Sequence, residues 1–184
     1  MAHLVCDFNP VDRITVDTIG PPGQRVFHLQ ASQGTQVVTL VFEKEQARAL
    51  AASLLQLLDH LEIDYPENQG EVDAILSTQM NLLQPTEPEF RIGQMGVGVD
   101  ETTGHVVIVA YELTREEGQD IGVARFWATR EQARALAQYS LGVVEAGRPL
   151  CPLCSEPMDP DGHFCPRGNG HGKMTEISDL DFRE

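Results

Sequence analysis

Strand-like and helix-like hydrophobic patterns succeed one another twice along this chain. Residues 13–19 alternate, with Ile14, Val16 and Thr18 on one face, which predicts a half-buried strand. Gly20-Pro21-Pro22-Gly23 reads as a turn, residues 24–31 as a second strand, Ser32-Gln33-Gly34-Thr35 as a hairpin turn, and residues 36–42 as a third, β-branched strand. The period then lengthens. Ala47, Leu50, Ala51, Leu54, Leu57, Leu58 and Leu61 recur three and four apart, so a helix over about 44–61 should lay an apolar stripe on a sheet. The same order returns as strands at 90–99, 105–113 and 121–128, separated by turns at 100–104 and 114–120. Thr129 reads as an N-cap with Gln132 three residues on, as in a capping box, and the helix over 130–146 meets Gly147, a usual stop.

The two halves share more than a pattern. Glu45-Gln46-Ala47-Arg48-Ala49-Leu50-Ala51 returns unchanged as Glu131-Gln132-Ala133-Arg134-Ala135-Leu136-Ala137. Arg13-Ile14 matches Arg91-Ile92, and Pro21-Pro22-Gly23 stands where Thr102-Thr103-Gly104 stands. The reading is a duplicated βββα unit, an α+β fold with antiparallel sheets, because the turns are too short for parallel crossovers. It divides the chain into a first unit at 1–61, an acidic linker at 62–89, a second unit at 90–147, a metal-binding knuckle at 148–172 and a disordered acidic tail at 173–184. In the linker, Val72, Ile75, Leu76, Met80 and Leu83 have helical spacing. That spacing predicts a short helix docked on the core, or else an amphipathic segment that takes a partner.

Composition narrows the classes. The chain has 184 residues, 28 acidic against 13 basic, a formal charge of −15. No lysine or arginine lies between Ala49 and Phe90. Duplex DNA, RNA and anionic membranes all need clustered cations, so none of them is expected as a partner. No apolar run approaches the roughly 20 residues of a membrane helix. The first residues carry neither the basic nor the apolar region of a secretory signal, so a cytoplasmic protein is expected.

The strongest chemical motif lies near the C-terminus. Cys151-Pro152-Leu153-Cys154 presents two thiols on one turn, and Cys165-Pro166 begins a second such turn, with Gly168 where a fourth cysteine would stand. The fourth ligand should then be a histidine. His171, six residues after Cys165, is preferred, and His163 is its competitor. Thiolates with an imidazole select zinc over magnesium or calcium, and four filled positions make a closed, structural site resembling a zinc ribbon. A site of only three cysteines would reopen hydrolytic chemistry. The stretch 148–173 is near neutral and has one aromatic, Phe164, so it lacks the surface of a nucleic-acid-binding ribbon.

No catalytic constellation is visible. Gly93, Gly96 and Gly98 lie in a strand and do not make a dinucleotide fingerprint. Cys6 reads as a buried, idle thiol, and His28, His60 and His105 as ordinary histidines. Arg13 and Arg91 occupy equivalent places in the two copies, and Arg25 sits on the rigid Gly20–Gly23 turn. The three form a candidate anion-binding set, against the plainer reading that they neutralise nearby carboxylates.

The FNPVDR segment, the GPPGQR turn, the EFRIG strand and the GRPLCPLCSEPMDPDGHFCPRGNGH tail together resemble a bacterial family of uncharacterised proteins, found mainly in actinomycetes. The resemblance covers nearly the whole chain and is most specific at Cys151, Cys154, His163, Cys165, Pro166, Asn169 and Gly170. It implies variation at the position of His171, which weakens the preference for His171 and raises His163. It also implies a link to a kinase-like and a histidine-phosphatase-like protein. The expectation is a non-enzymatic binding or adaptor module with a structural zinc and a protein partner. The alternatives are an enzyme acting on a small anionic or phosphorylated substrate, and a nucleic-acid-binding zinc-ribbon protein.

Overall fold

The computed structural model describes residues 2–62, 68–114, 120–147, 150–158, 162–163 and 165–167. The chain divides into two compact units, Met1–Ala146 and Gly147–Glu184. The first is a mixed α+β unit with strands β1 (Ala2–Phe8), β2 (Arg13–Ile19), β3 (Val26–Gln33), β4 (Gln36–Phe42), β5 (Phe90–Val99), β6 (Val106–Glu112) and β7 (Ile121–Ala128). Its helices are α1 (Lys44–Glu62), α2 (Gln69–Thr78) and α3 (Arg130–Glu145).

The strands form one seven-stranded sheet in the order β1-β7-β6-β5-β4-β3-β2. Pairing inside β2-β3-β4 and inside β5-β6-β7 is antiparallel, as short turns require. The expectation of separate antiparallel sheets needs correction. The two runs join through a parallel pair, Leu40 opposite Phe90 and Val41 opposite Arg91. The chain between β4 and β5 holds α1, α2 and an irregular passage, long enough for a parallel crossover. β1 is an addition that local pattern did not reveal. It pairs parallel with β7, more than a hundred residues away, and brings Phe8 to within 6.1 Å of Phe126, centroid to centroid.

Register sets which side chains meet the helices. Ile14, Val16, Leu29, Ala31, Leu40, Phe42, Ile108, Ala110, Ala124 and Phe126 share one face and are buried with Leu50, Leu54 and Leu58 of α1 and Ala133, Leu136 and Val144 of α3. Each large side chain so buried stabilises the fold by about 1.5–3 kcal/mol before entropy is counted. The capping box of α3 is present: Gln132 N donates to Thr129 Oγ1, and Thr129 N donates to Gln132 Oε1. Its end differs from expectation, because the C-cap is Ala146, whose N–H donates to Gly142 O.

The third residue of each long helix has two tasks. Gln46 Oε1 accepts from Glu43 N, while its Nε2 donates to Ile92 O and Gly93 O of β5. Gln132 likewise donates to Val11 O and Asp12 O, just before β2. Each helix is thereby tied to the other run's first strand, and α3 packs across β2 while α1 packs on β5. The short helix α2 docks on α3, with Val72, Ile75, Met80 and Ala135 forming a small second core.

The opposite face of β2-β3-β4 carries a buried polar row, Thr15, Gln30 and Thr39, each at most 3% exposed. Residues 79–89 strap across it. Thr15 Oγ1 donates to Met80 O at 2.7 Å, and Thr39 Oγ1 donates to Pro85 O at 3.1 Å. Gln30 does most. Its Nε2 donates to Leu83 O and its Oε1 accepts from Leu83 N, at 2.8 and 2.7 Å. Irregular backbone can be buried here because these side chains replace water. Gln30→Met keeps the volume and removes the bonds. It should lower stability by about 2–3 kcal/mol and the melting temperature by roughly 5–10 °C. A loss below about 0.5 kcal/mol in urea unfolding would show that the strap does not depend on Gln30.

Candidate metal centre

The second unit has few apolar side chains among its described residues, and its order comes from turns. Cys151 N donates to Glu156 O and Ser155 N to Cys151 O, both at 2.8 Å, and Leu150 bridges to Pro157. This tight loop holds Ser155 at φ +62°, outside the range that most side chains favour. It presents Cys151 and Cys154 to the same side. Gly162, at φ +94°, precedes His163 where the chain returns toward them.

Four side chains meet. One ligand atom from each of Cys151, Cys154, His163 and Cys165 lies within 4.8 Å of all the others. Cys151 Sγ and Cys165 Sγ are 3.8 Å apart, and Cys154 Sγ is 3.1 Å from His163 Nε2. A tetrahedral ion with sulfur at about 2.3 Å would set its S···S edges near 3.8 Å, so the thiol pair has the spacing such an ion needs. Cys151 and Cys165 are 1% exposed. The N–H of Leu153 donates to Cys151 Sγ at 3.5 Å.

The electrostatics point the same way. Backbone N–H donors, that of Cys154 first, hold the Cys151 thiol below its ordinary pKa. For Cys154 the Glu156 N–H acts downward, but burial and the neighbouring thiols outweigh it and push the group up. Clustered thiols resist ionising together, and a divalent cation among them removes that conflict. The donor set therefore fits a metal ion, soft sulfur with one imidazole. His163 is the histidine within reach of the cysteines. His171 lies outside the described residues.

The three arginines do not share a site. Arg13 donates through Nη2 to Gln79 O and Asn81 O, at 2.6 and 2.7 Å, and so fastens the start of the strap. Arg91 pairs with Glu43. Arg25 precedes Val26, at the other end of the β2–β3 hairpin from Arg13, about 20 Å away at the strand rise. Pattern alone could not separate them, because equivalence in sequence says nothing about distance.

His28 is buried and its pKa is lowered by that burial, which keeps it neutral near pH 7. Burial pushes the Cys6 thiol up to about 11. Among the described residues no helix is long and apolar enough to cross a membrane.

A Cys3His cluster that could hold a metal ion, beside a mixed α+β core, defines the class of protein. The family model described as "Protein of unknown function (DUF3090)" matches residues 6–165, and the chain belongs to that family. The match takes in Cys151, Cys154 and His163 and closes on Cys165. No curated protein and no solved structure matches the chain.

A thiol with a pKa near 11 is ionised to roughly one part in a thousand at pH 8 and reacts slowly. Cys6 should therefore stay unmodified by iodoacetamide in native protein and react readily in urea, as read by peptide mass. Fast alkylation of Cys6 in the native state would contradict this burial.

Proposed function

We propose that this protein is a non-enzymatic binding or adaptor module whose C-terminal knuckle is held together by a structural zinc. The observation that carries the metal reading is the convergence of Cys151, Cys154, His163 and Cys165 within 4.8 Å. Four protein ligands leave no position for a substrate or an activated water, which is the arrangement of a structural site. Zinc is favoured over other cations because thiolates and imidazole are its ligands and because it brings no redox chemistry. His163 is the proposed fourth ligand, supported also by a family match that includes it and ends before His171. Reduced, metal-held thiols suit the cytoplasm, where we place the protein.

The two βββα runs are read as a duplication. Support comes from the repeated seven-residue segment and from Gln46 and Gln132, which make the same pair of interactions from the same helical position. The adaptor role rests on the absence of any convergent acid, base and nucleophile among the described residues. A kinase-like or histidine-phosphatase-like protein is the proposed class of partner. The enzyme reading keeps one point in its favour, a groove containing Arg25.

Purified protein should carry about one zinc per chain. Cys154→Ser should lose it, and His163→Ala should weaken retention at least about tenfold, more than outer-shell losses cost. Chelation should expose the C-terminal unit to protease while the core keeps its melting transition. Native protein free of metal would refute the zinc reading, and full retention by His163→Ala would move the fourth ligand elsewhere.

The adaptor reading has its own test. Tagged full-length protein should recover a specific partner from the native host, unaffected by substitutions that spare both units. Repeated failure to recover one, together with turnover of a small anionic substrate, would favour the enzyme.

A further inference from the structure

Two grooves in the first unit hold an arginine, and they differ in what that arginine is doing. Beside His28, in a groove of about 550 Å³, Arg91 is engaged by Glu43. The other groove, of about 590 Å³, is lined by Asp17, Arg25, Leu76, Tyr139, Gly142 and Val143 among others. It lies where the β2–β3 turn meets α2 and α3. Among the described residues Arg25 makes no hydrogen bond and no ion pair, although it is only partly exposed. Its neighbours in sequence fix the backbone from which it projects. Gly20 and Gly23 take φ +113° and +89°, Gln24 N donates to Pro21 O at 2.9 Å, and two prolines stiffen the turn. A Cβ on Gly20 would stand 2.7 Å from Gln24 O, so this turn shape requires glycine there.

The rest of the lining fits the body of a small molecule. Leu76, Val143 and the bare surface at Gly142 give an apolar floor, and nothing lies within 4 Å of a Cβ built on Gly142. The volume is that of an ordinary small-ligand site. Tyr139 and Gln138 add polar tips. Burial, with Asp17 nearby, raises the Tyr139 pKa, so its hydroxyl remains a donor at neutral pH. Asp17 is the only carboxylate among the described lining residues, and its Oδ1 accepts from Thr18 N at 2.7 Å. One cation against one occupied carboxylate favours a ligand with a single negative charge over a doubly charged phosphate.

We infer that this groove is a binding site for a small amphiphilic monoanion, its acid group on Arg25 and its apolar body on Leu76, Val143 and the Gly142 surface. The acid would be a carboxylate or sulfonate, because a guanidinium grips two oxygens at once. The site belongs to the core unit and is independent of the metal cluster.

Two probes of similar shape separate charge recognition from apolar packing. Anilinonaphthalene sulfonate carries the anion, and N-phenyl-1-naphthylamine lacks it. Full-length protein should bind the sulfonate saturably at one site, read by fluorescence. Arg25→Ala should weaken that binding about tenfold or more while leaving the neutral probe within about twofold. Gly142→Leu should abolish both, since its side chain fills the groove, and should not lower the melting temperature because leucine favours helix over glycine. Arg25→Lys should recover part of the sulfonate affinity. The inference is overturned by non-saturable sulfonate binding, by binding that survives Gly142→Leu, or by equal loss of both probes in Arg25→Ala.

Discussion

Backbone that belongs to neither helix nor sheet must still satisfy its N–H and C=O groups when buried, and this fold depends on how it meets that demand. The passage from α2 to β5 crosses a sheet face that carries a buried polar row. Thr15, Gln30 and Thr39 point into that crossing from three adjacent strands and bond to its carbonyls. Arg13 fastens the entry through Gln79 O and Asn81 O. At the exit Glu89 N donates to Thr39 O, immediately before Phe90 settles beside Leu40. The polar row thus delivers β5 to β4 in register. That parallel junction, only two residue pairs long, makes one sheet from two antiparallel runs.

The helices reinforce the junction from the other side. Because Gln46 reaches β5 and Gln132 reaches the residues before β2, each run carries the other's helix contact. The repeated segment therefore contributes twice over: Ala47, Leu50 and Ala51, and again Ala133, Leu136 and Ala137, fill the core, and its glutamine closes a helix end while docking it. The C-terminal unit solves a different problem. Its described residues include few apolar side chains, and their Cys151, Cys154, His163 and Cys165 cluster could hold a metal ion, whose binding would add folding energy.

Much of this was legible in the sequence. The strand and helix periods located six strands and both long helices, because half-buried strands and amphipathic helices write their burial into local spacing. Val72 and Ile75 marked α2 for the same reason, although the helix ends at Thr78, before Met80 and Leu83 in that spacing. What stayed hidden was non-local. β1 pairs with a strand at the far end of the core, and Ala2–Phe8 has no turn to announce it. Gln30 and Thr39 looked like ordinary strand residues, since only the strap gives them their purpose. At the metal cluster, CxxC was readable because both ligands come from one turn. The histidine was less readable, because its place depends on where a loop returns; among the described residues that loop brings His163 to the thiols.

The arginines carry the last step. In a chain with more than twice as many acidic as basic residues, a cation has no shortage of partners, and among the described residues most arginines are engaged. Arg13 binds carbonyls, Arg91 binds Glu43, Arg125 binds Asp7 and lies 5.5 Å from the Trp127 ring, and Arg134 binds Asp59. Among the described residues, Arg25 stands against that background as a partly shielded arginine without a partner. The same groove contains one carboxylate, Asp17, which accepts from Thr18 N and makes no ion pair with Arg25. A rigid turn stabilises the fold by lowering the entropy of the unfolded chain, and here it also sets one cation beside an apolar floor. At the inferred anion site, its use is to fix the backbone from which Arg25 projects, so that an anion entering the groove leaves only the Arg25 side chain to be ordered.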